Sequence, residues 1–206
     1  MRAYLLPLLL VGGVVAIPLA AQLPTTVPGA ADPARVTGGN YVVEPTHTQV
    51  LFAYDHMGFS MNMGVIGMPT GTLVLDPEKP ADAKVSITIP IANIRTGIPA
   101  MDDSLMSDKF FEVAKYPTAT FVSTDVKVDG TSAAITGNLT IRDKTVPVTL
   151  QATFYGAGIS PIGTKKEQLG FSATALVKRS AFGMERGVPI VGDDIKLSIV
   201  AAFEKE

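Results

Sequence analysis

The feature that most constrains this chain is an apolar residue at every second position, repeated in segment after segment. In "KVSITIPI" the apolar set is Val85, Ile87, Ile89 and Ile91, while Lys84, Ser86, Thr88 and Pro90 face the other way. In "VPVTLQATFY", Val146, Val148, Leu150, Ala152 and Phe154 alternate with more polar neighbours, and "DIKLSIVAAF" repeats the pattern with Ile195, Leu197, Ile199, Ala201 and Phe203. A period of two is that of a β-strand with one buried face. Weaker versions occupy residues 50–56, 68–75, 119–128, 134–142 and 169–178, separated by turn sequences such as "DPEKPAD", "VDGTS", "RDKT" and "YGAGISPIGTKK". About eight short strands of this kind predict an all-β antiparallel sandwich or closed barrel. Strict alternation favours antiparallel strands with one wet face over parallel strands buried on both. A barrel of that size can be filled by its own side chains or can hold one ligand. Periodicity does not choose between the two.

One stretch breaks the pattern. Residues 96–121, "TGIPAMDDSLMSDKFFEVAKYPTATF", hold an acid pair, two adjacent phenylalanines and a Tyr-Pro. Asp102, Asp103 and Ser104 are helix-start residues, and Ser107 is placed to cap a second short turn by accepting from the amide of Lys109 or Phe110. Met106, Phe110, Val113 and Ala114 fall at i, i+4, i+7 and i+8, one face of a helix, and Pro117 ends it. The spacing predicts a short helical lid over 102–116, laid across one end of the barrel with Phe110 and Phe111 inward. It would either cork a dry core or gate a ligand.

The N-terminus bears on compartment. "MRAYLLPLLLVGGVVAIPLAAQ" has one positive residue, Arg2, then an uncharged apolar run, then small residues at Ala20 and Ala21, the order of a secretory signal peptide over residues 1–21. An uncleaved membrane anchor is the alternative reading. Residues 22–39, rich in Pro, Gly, Ala and Thr, read as a disordered linker, and 40–206 as the folded domain. The expected location is the periplasm. A formal charge of −2 gives no electrostatic case for nucleic acid. Cysteine is absent, which excludes disulfides and thiolate chemistry.

Four blocks in order carry a resemblance. "YVVEPTHTQVLFAYDHMGFS" places His47, Phe52, His56 and Gly58; "DDSLMSDKFFEVAKYPTATFVST" places Leu105, Ser107, Phe110, Phe111, Tyr116, Pro117, Phe121 and Ser123. "ITGNLTIRDKTVPVTL" places Gly137, Leu139, Thr140, Pro147 and Val148; "KRSAFGM", before "VGDDI", places Arg179, Phe182 and Gly183. From Tyr41 to Phe203 the chain resembles the YceI-like polyisoprenoid-binding family. It departs at Glu44, where Asp is more frequent, at Asp143, where Gly is usual, and in a methionine-heavy "HMGFSMNMGVIGM". The resemblance implies an eight-stranded, extended lipocalin-like barrel that binds an isoprenoid lipid or a prenylated quinone, without catalysis or cofactor. It also implies transient membrane contact during loading; a homodimer is left open. With that mode of binding, the expected ligand-lining set is Phe52, Tyr54, His56, Phe59, Met61, Met63, Met106, Phe110, Phe111, Phe121, Val148, Leu150, Phe154, Phe171, Arg179, Phe182, Leu197 and Ile199.

Other chemistries have thinner support. The two histidines, His47 and His56, are nine residues apart and fall on opposite faces of a regular strand. His56 with Met57, Met61, Met63 and Met68 raises a copper reading, since thioethers suit Cu(I). Methionines filling a cavity wall explain the same residues. Another amphiphile, such as a fatty amide, is the remaining alternative. Arg179 is placed either for a salt bridge or for an anionic head group. No nucleophile-elbow motif is present.

Overall fold

The computed structural model describes residues 25–206, so the expected signal peptide and the first residues of the expected linker lie outside the described residues. Eleven strands follow one another: β1 (Gly39–Val43), β2 (Gln49–His56), β3 (Ser60–Gly67), β4 (Thr70–Leu75), β5 (Lys84–Pro90), β6 (Ile94–Arg95), β7 (Thr118–Asp129), β8 (Ser132–Ile141), β9 (Lys144–Ile159), β10 (Glu167–Lys178) and β11 (Asp194–Lys205). The one α-helix among the described residues, α1 (Pro99–Met106), stands between β6 and β7. Strands β1, β4, β5, β7, β8, β9, β10 and β11 are neighbours in that order, and β1 pairs back onto β11, closing an eight-stranded antiparallel barrel.

The remaining three strands are continuations. β11 is long enough to pair Val43 with Phe203 and, further along the same edge, Gln49 with Val200. β1 and β2 are thus two halves of one line, broken by the turn at Pro45–His47. β4 against β1 and β3 against β2 form a second broken line, and β5 with β6 a third. The alternation over 50–56 therefore belongs to the lower half of a line whose upper half, β1, does the closing. β1, β3 and β6 were not predicted. They are short, or, as in "SMNMGVIG", built of Met, Asn and Gly.

The predicted helix over 102–116 is displaced. Pro99 takes the first helical position, which needs no amide partner, and Asp102 accepts from the Thr96 amide at 2.7 Å and its hydroxyl at 2.6 Å. The helix stops at Met106 because Ser107 turns extended. Its hydroxyl donates back to the Ser104 carbonyl and accepts from the Lys109 amide, the local competition by which serine breaks helices. Residues 107–116 continue as tight turns, with Glu112 in the left-handed region. Met106, Phe110 and Val113 still turn inward, but not as one helical face.

The segment expected as a disordered linker is laid on the barrel from Pro28 onward. Ala30 and Ala157 exchange both backbone hydrogen bonds, at 3.0 and 2.9 Å. The sequence "YGAGIS" is accordingly not a turn. β9 runs through it to Ile159, and Gly156 and Gly158 leave room for the chain alongside: a Cβ on Gly158 would sit 2.4 Å from the Pro28 carbonyl oxygen.

A buried carboxylate secures this region. Glu167, on β10, accepts from the Thr37 amide at 3.0 Å, from the Thr37 hydroxyl and from the Tyr41 hydroxyl at 2.9 Å. Burial alone would push its carboxyl up, but these hydrogen bonds outweigh it and hold the group below the ordinary carboxylate range. The Tyr41 phenol is pushed up to about 12 by burial and by its bond to Glu167. A carboxyl depressed on folding stabilises the fold above its unfolded pKa and loses that contribution as pH falls through the folded value. A raised phenol stabilises below its unfolded value of 10.0 and loses the contribution as pH climbs toward about 12. Stability should therefore decline at both extremes. Glu167→Gln should remove this part of the acid limb and Tyr41→Phe this part of the alkaline limb in thermal melts across pH. An alkaline limb unchanged in Tyr41→Phe would count against the network.

Candidate functional site

Inside the ring lies a cavity of about 370 Å³. Its wall takes the inward residues of every barrel strand, among them Leu73 from β4, Val85 and Ile87 from β5, Phe121 and Val126 from β7, and Ile135 and Leu139 from β8. Val148, Leu150, Ala152 and Phe154 come from β9, Phe171 and Ala173 from β10, and Leu197, Ile199, Ala201 and Phe203 from β11. Phe154, Phe171 and Phe203 meet edge to face, with ring centres 5.7 and 6.0 Å apart. Pro33 and Val36 of the N-terminal segment, Pro77 and Pro80 of the β4–β5 connection, and Val128, Gly130, Thr131 and Ser132 of the β7–β8 turn also line the cavity. Most of these are exposed and form its mouth.

No charged side chain lines this space. Thr48 is a lining polar residue, and its hydroxyl is already occupied: it donates to the Glu44 carbonyl at 2.8 Å and accepts from the Ala202 amide at 3.0 Å. Thr131 and Ser132 sit at the rim. What the cavity offers is contact area for hydrocarbon, with unpaired polar side chains only at the edge.

Magnitude separates a ligand site from a dry core. Sealed, empty apolar space costs about 24 cal/mol per Å³, so 370 Å³ would cost at most roughly 9 kcal/mol, less where the mouth admits water. That is comparable with the whole stability of a domain of this size, about 5–15 kcal/mol. The wall could close it cheaply, since Ala152, Ala173 and Ala201 stand where larger residues would fill the gap. A barrel built only to be stable would not keep such a hole.

Of the residues expected to line the site, Phe121, Val148, Leu150, Phe154, Phe171, Leu197 and Ile199 do so. The others lie elsewhere, and several make the floor. Phe182, 1% exposed, packs with Phe121, Leu139 and Val148 from below. Phe110 and Phe111 join that cluster to a second one built on Ile66, Ile91, Ile94 and Leu105, to which Phe52 and Met106 also belong. Phe52 spends its ring on Gly64, whose Cβ, if it had one, would be 2.4 Å from the ring. Tyr54 reaches the sulfur of Met101 at 3.9 Å instead of the cavity. Phe110 and Phe111 are thus floor packing at the end opposite the mouth, not a gate over the ligand. Phe110→Ala should lower stability by roughly 2–4 kcal/mol, somewhat below a fully buried truncation. Retention of bound lipid should fall only as far as stability does. Lipid loss from the folded variant, measured well below its unfolding midpoint, would restore these residues as a gate.

The β2–β3 hairpin removes the copper arrangement. Its register sets His56 opposite Ser60 and Asp55 opposite Met61. His56 therefore shares a face with Phe52 and Tyr54, while Met61 and Met63 point to the other side. Met57 sits in the turn, Met61 and Met63 are 45% and 65% exposed, and Phe59 at the tip is 87% exposed. These side chains do not converge on one point, and none of them lines the cavity.

Arg179 makes no salt bridge among the described residues, and its donor nitrogens are already taken. Only 6% exposed, it donates to four backbone carbonyls: Gly192 at 2.8 Å, Met184 at 2.6 Å, Arg186 at 2.9 Å and Val191 at 2.8 Å. Burial lowers its pKa. Beside it, Asp193 accepts from the amide and hydroxyl of Ser180, both at 2.8 Å. Together they fold the 184–193 loop under the floor.

Sequence reasoning missed the mouth and the small residues. Pro33, Val36, Pro77, Pro80 and the wall alanines carry no motif. The available signal was the pair of glycines inside β9, which marks a close backbone approach.

Comparison with known proteins agrees with this architecture. The sequence profile described as the YceI-like domain matches residues 41–203. Protein YceI of Escherichia coli O157:H7 is 37% identical over 156 residues, 76% of this chain and 81% of that protein. Among solved structures, Burkholderia cenocepacia BcnA superposes with a TM-score of 0.66 at 25% identity, over 78% of this chain and 98% of that one. The Campylobacter jejuni YceI protein gives 0.64 at 29% identity, over 74% and 90% of the two chains. A polyisoprenoid-binding domain from Saccharophagus degradans shares the fold at 0.61, with 15% identity, over 81% and 98%. A barrel closed by its first and last strands, a profile match across nearly all of it and relatives above a third identical make this chain a member of the YceI-like family.

Proposed function

We propose that this protein binds a long-chain isoprenoid-type amphiphile in the barrel cavity, such as a polyprenyl phosphate or a prenylated quinone, and carries or stores it without catalysis. The observation that carries this reading is a 370 Å³ cavity with no charged lining residue, whose one polar side chain away from the mouth, Thr48, is already hydrogen-bonded. Each methylene-sized unit moved from water into such a space gains about 0.8 kcal/mol. A tail alone then supplies the affinity, while the polar head stays at the rim with Thr131 and Ser132. The solved relative described as a polyisoprenoid-binding domain supports the same ligand class. The N-terminal apolar run supports export to the periplasm, where loading would involve transient contact with a membrane. Mass spectrometry of an organic extract of the protein, purified from its native host, tests the reading. A prenyl lipid near one per chain is the expected result. An extract holding only another amphiphile, such as a fatty amide, would overturn the isoprenoid assignment.

A further inference from the structure

We propose that residues 28–38 form a gating strap that completes the cavity wall and sets the rate at which ligand enters and leaves. This rests on the lipid-binding reading above and adds a site element outside residues 41–203, the part of this chain that the family profile matches. The strap starts on β9, where Ala30 pairs with Ala157, and ends at β1. In the closed ring those strands are separated by β10 and β11, so the strap crosses the upper ends of both. Between its two ends Pro33 and Val36 contribute to the cavity lining, at the mouth.

The two ends are held unequally. Near β1, Thr37 bonds to the buried Glu167 through its amide and its hydroxyl, and Gly38 lies so close to Pro77 that a Cβ would fall 2.6 Å from the ring. Near β9 the attachment is one pair of backbone hydrogen bonds, with Gly156 and Gly158 keeping the approach clear. Gly38 and Gly39 both have positive φ, 73° and 110°, a backbone state that glycine alone enters freely. The geometry is that of a flap over residues 28–36, pivoting just ahead of the fixed Thr37–Gly39 segment, with a weak catch at Ala30 and an apolar underside. At the opposite end Phe182, Phe110 and Phe111 close the floor, so exchange runs through the mouth, past the strap.

The test measures exchange of a dansyl-labelled farnesol in the full-length protein, alongside tryptic cleavage after Arg35 within the strap. Gly158→Val drives a side chain into the Pro28 carbonyl and should release the catch. Probe dissociation should speed up about tenfold, the equivalent of about 1.4 kcal/mol of lost contact, and cleavage after Arg35 should accelerate with it. Val36→Ala keeps both attachments and removes only side chain over the mouth; it should speed dissociation. Gly67→Ala, where a Cβ meets nothing within 4 Å, should change neither. Faster cleavage with unchanged dissociation in Gly158→Val, together with unchanged dissociation in Val36→Ala, would overturn the gate while leaving lipid binding standing. A wild-type protein that takes up no probe would overturn the lipid-binding reading itself, and the gate with it.

Discussion

Arg179→Met should lower stability by roughly 3–5 kcal/mol, the range for removing one partner from a buried charged network. In a domain of this size each kcal/mol moves the midpoint by about 2–4 °C, so Tm should drop by roughly 6–20 °C. The cause is not loss of the positive charge. Four carbonyls of the 184–192 loop, at Met184, Arg186, Val191 and Gly192, lose their donor together. Arg179→Lys should recover little, because one ammonium cannot reach carbonyls arranged around a planar fork. Since Arg179 lies under the floor, lipid bound by the surviving folded fraction should be unchanged. A melt within about 2 °C of wild type would show that the loop holds itself.

Ala173→Phe should leave the protein folded and abolish lipid retention. Ala173 lies on β10 between Ala152 and Ile199, facing the empty cavity. A ring there occupies volume that no protein atom now fills, so the usual overpacking cost of about 1–3 kcal/mol should be largely avoided. The ligand then loses the space. Displacing one isoprene unit forfeits about five methylene-sized groups at about 0.8 kcal/mol each, near 4 kcal/mol, or roughly three orders of magnitude in affinity. Titration with a prenyl probe, with circular dichroism as the folding control, decides the matter. Wild-type affinity in a folded Ala173→Phe would place the ligand elsewhere.

The barrel was legible because alternation reports a physical condition, one wet face and one dry, that the strongest strands β5, β9 and β11 satisfy residue by residue. The breaks in the first three lines were not. A turn such as Pro45–His47 interrupts the pattern without ending the line, and pairing partners are invisible to periodicity. The site was half legible for a related reason. Alternation says whether a side chain points inward, not how high along the barrel axis it sits. Phe121 and Phe52 are both inward, yet one borders the cavity and the other packs in the floor. Reading only large apolar residues as lining left out the small ones. Space is left where residues are small, as at Ala152, Ala173 and Ala201. Arg179 was misplaced because sequence shows a charge but not the carbonyls that surround it.

The pairing of Tyr41 with Lys205 has a consequence for how the molecule comes into being. Strand β1 closes on β11, the strand furthest from it in the chain, so the loop that must be ordered before the ring shuts spans nearly the whole domain. Such non-local pairing is the slowest kind to form, because its entropy is lost before its contacts are gained. Until β11 arrives, the inner faces of β4, β5, β7, β8 and β9 form an open, curling sheet with Val85, Ile87, Phe121 and Leu150 facing water. An incomplete chain is therefore sticky and cannot hold a ligand. Any ligand of this cavity can be taken up only by a polypeptide that has been synthesised through its final strand, which separates the birth of the protein from its loading in time.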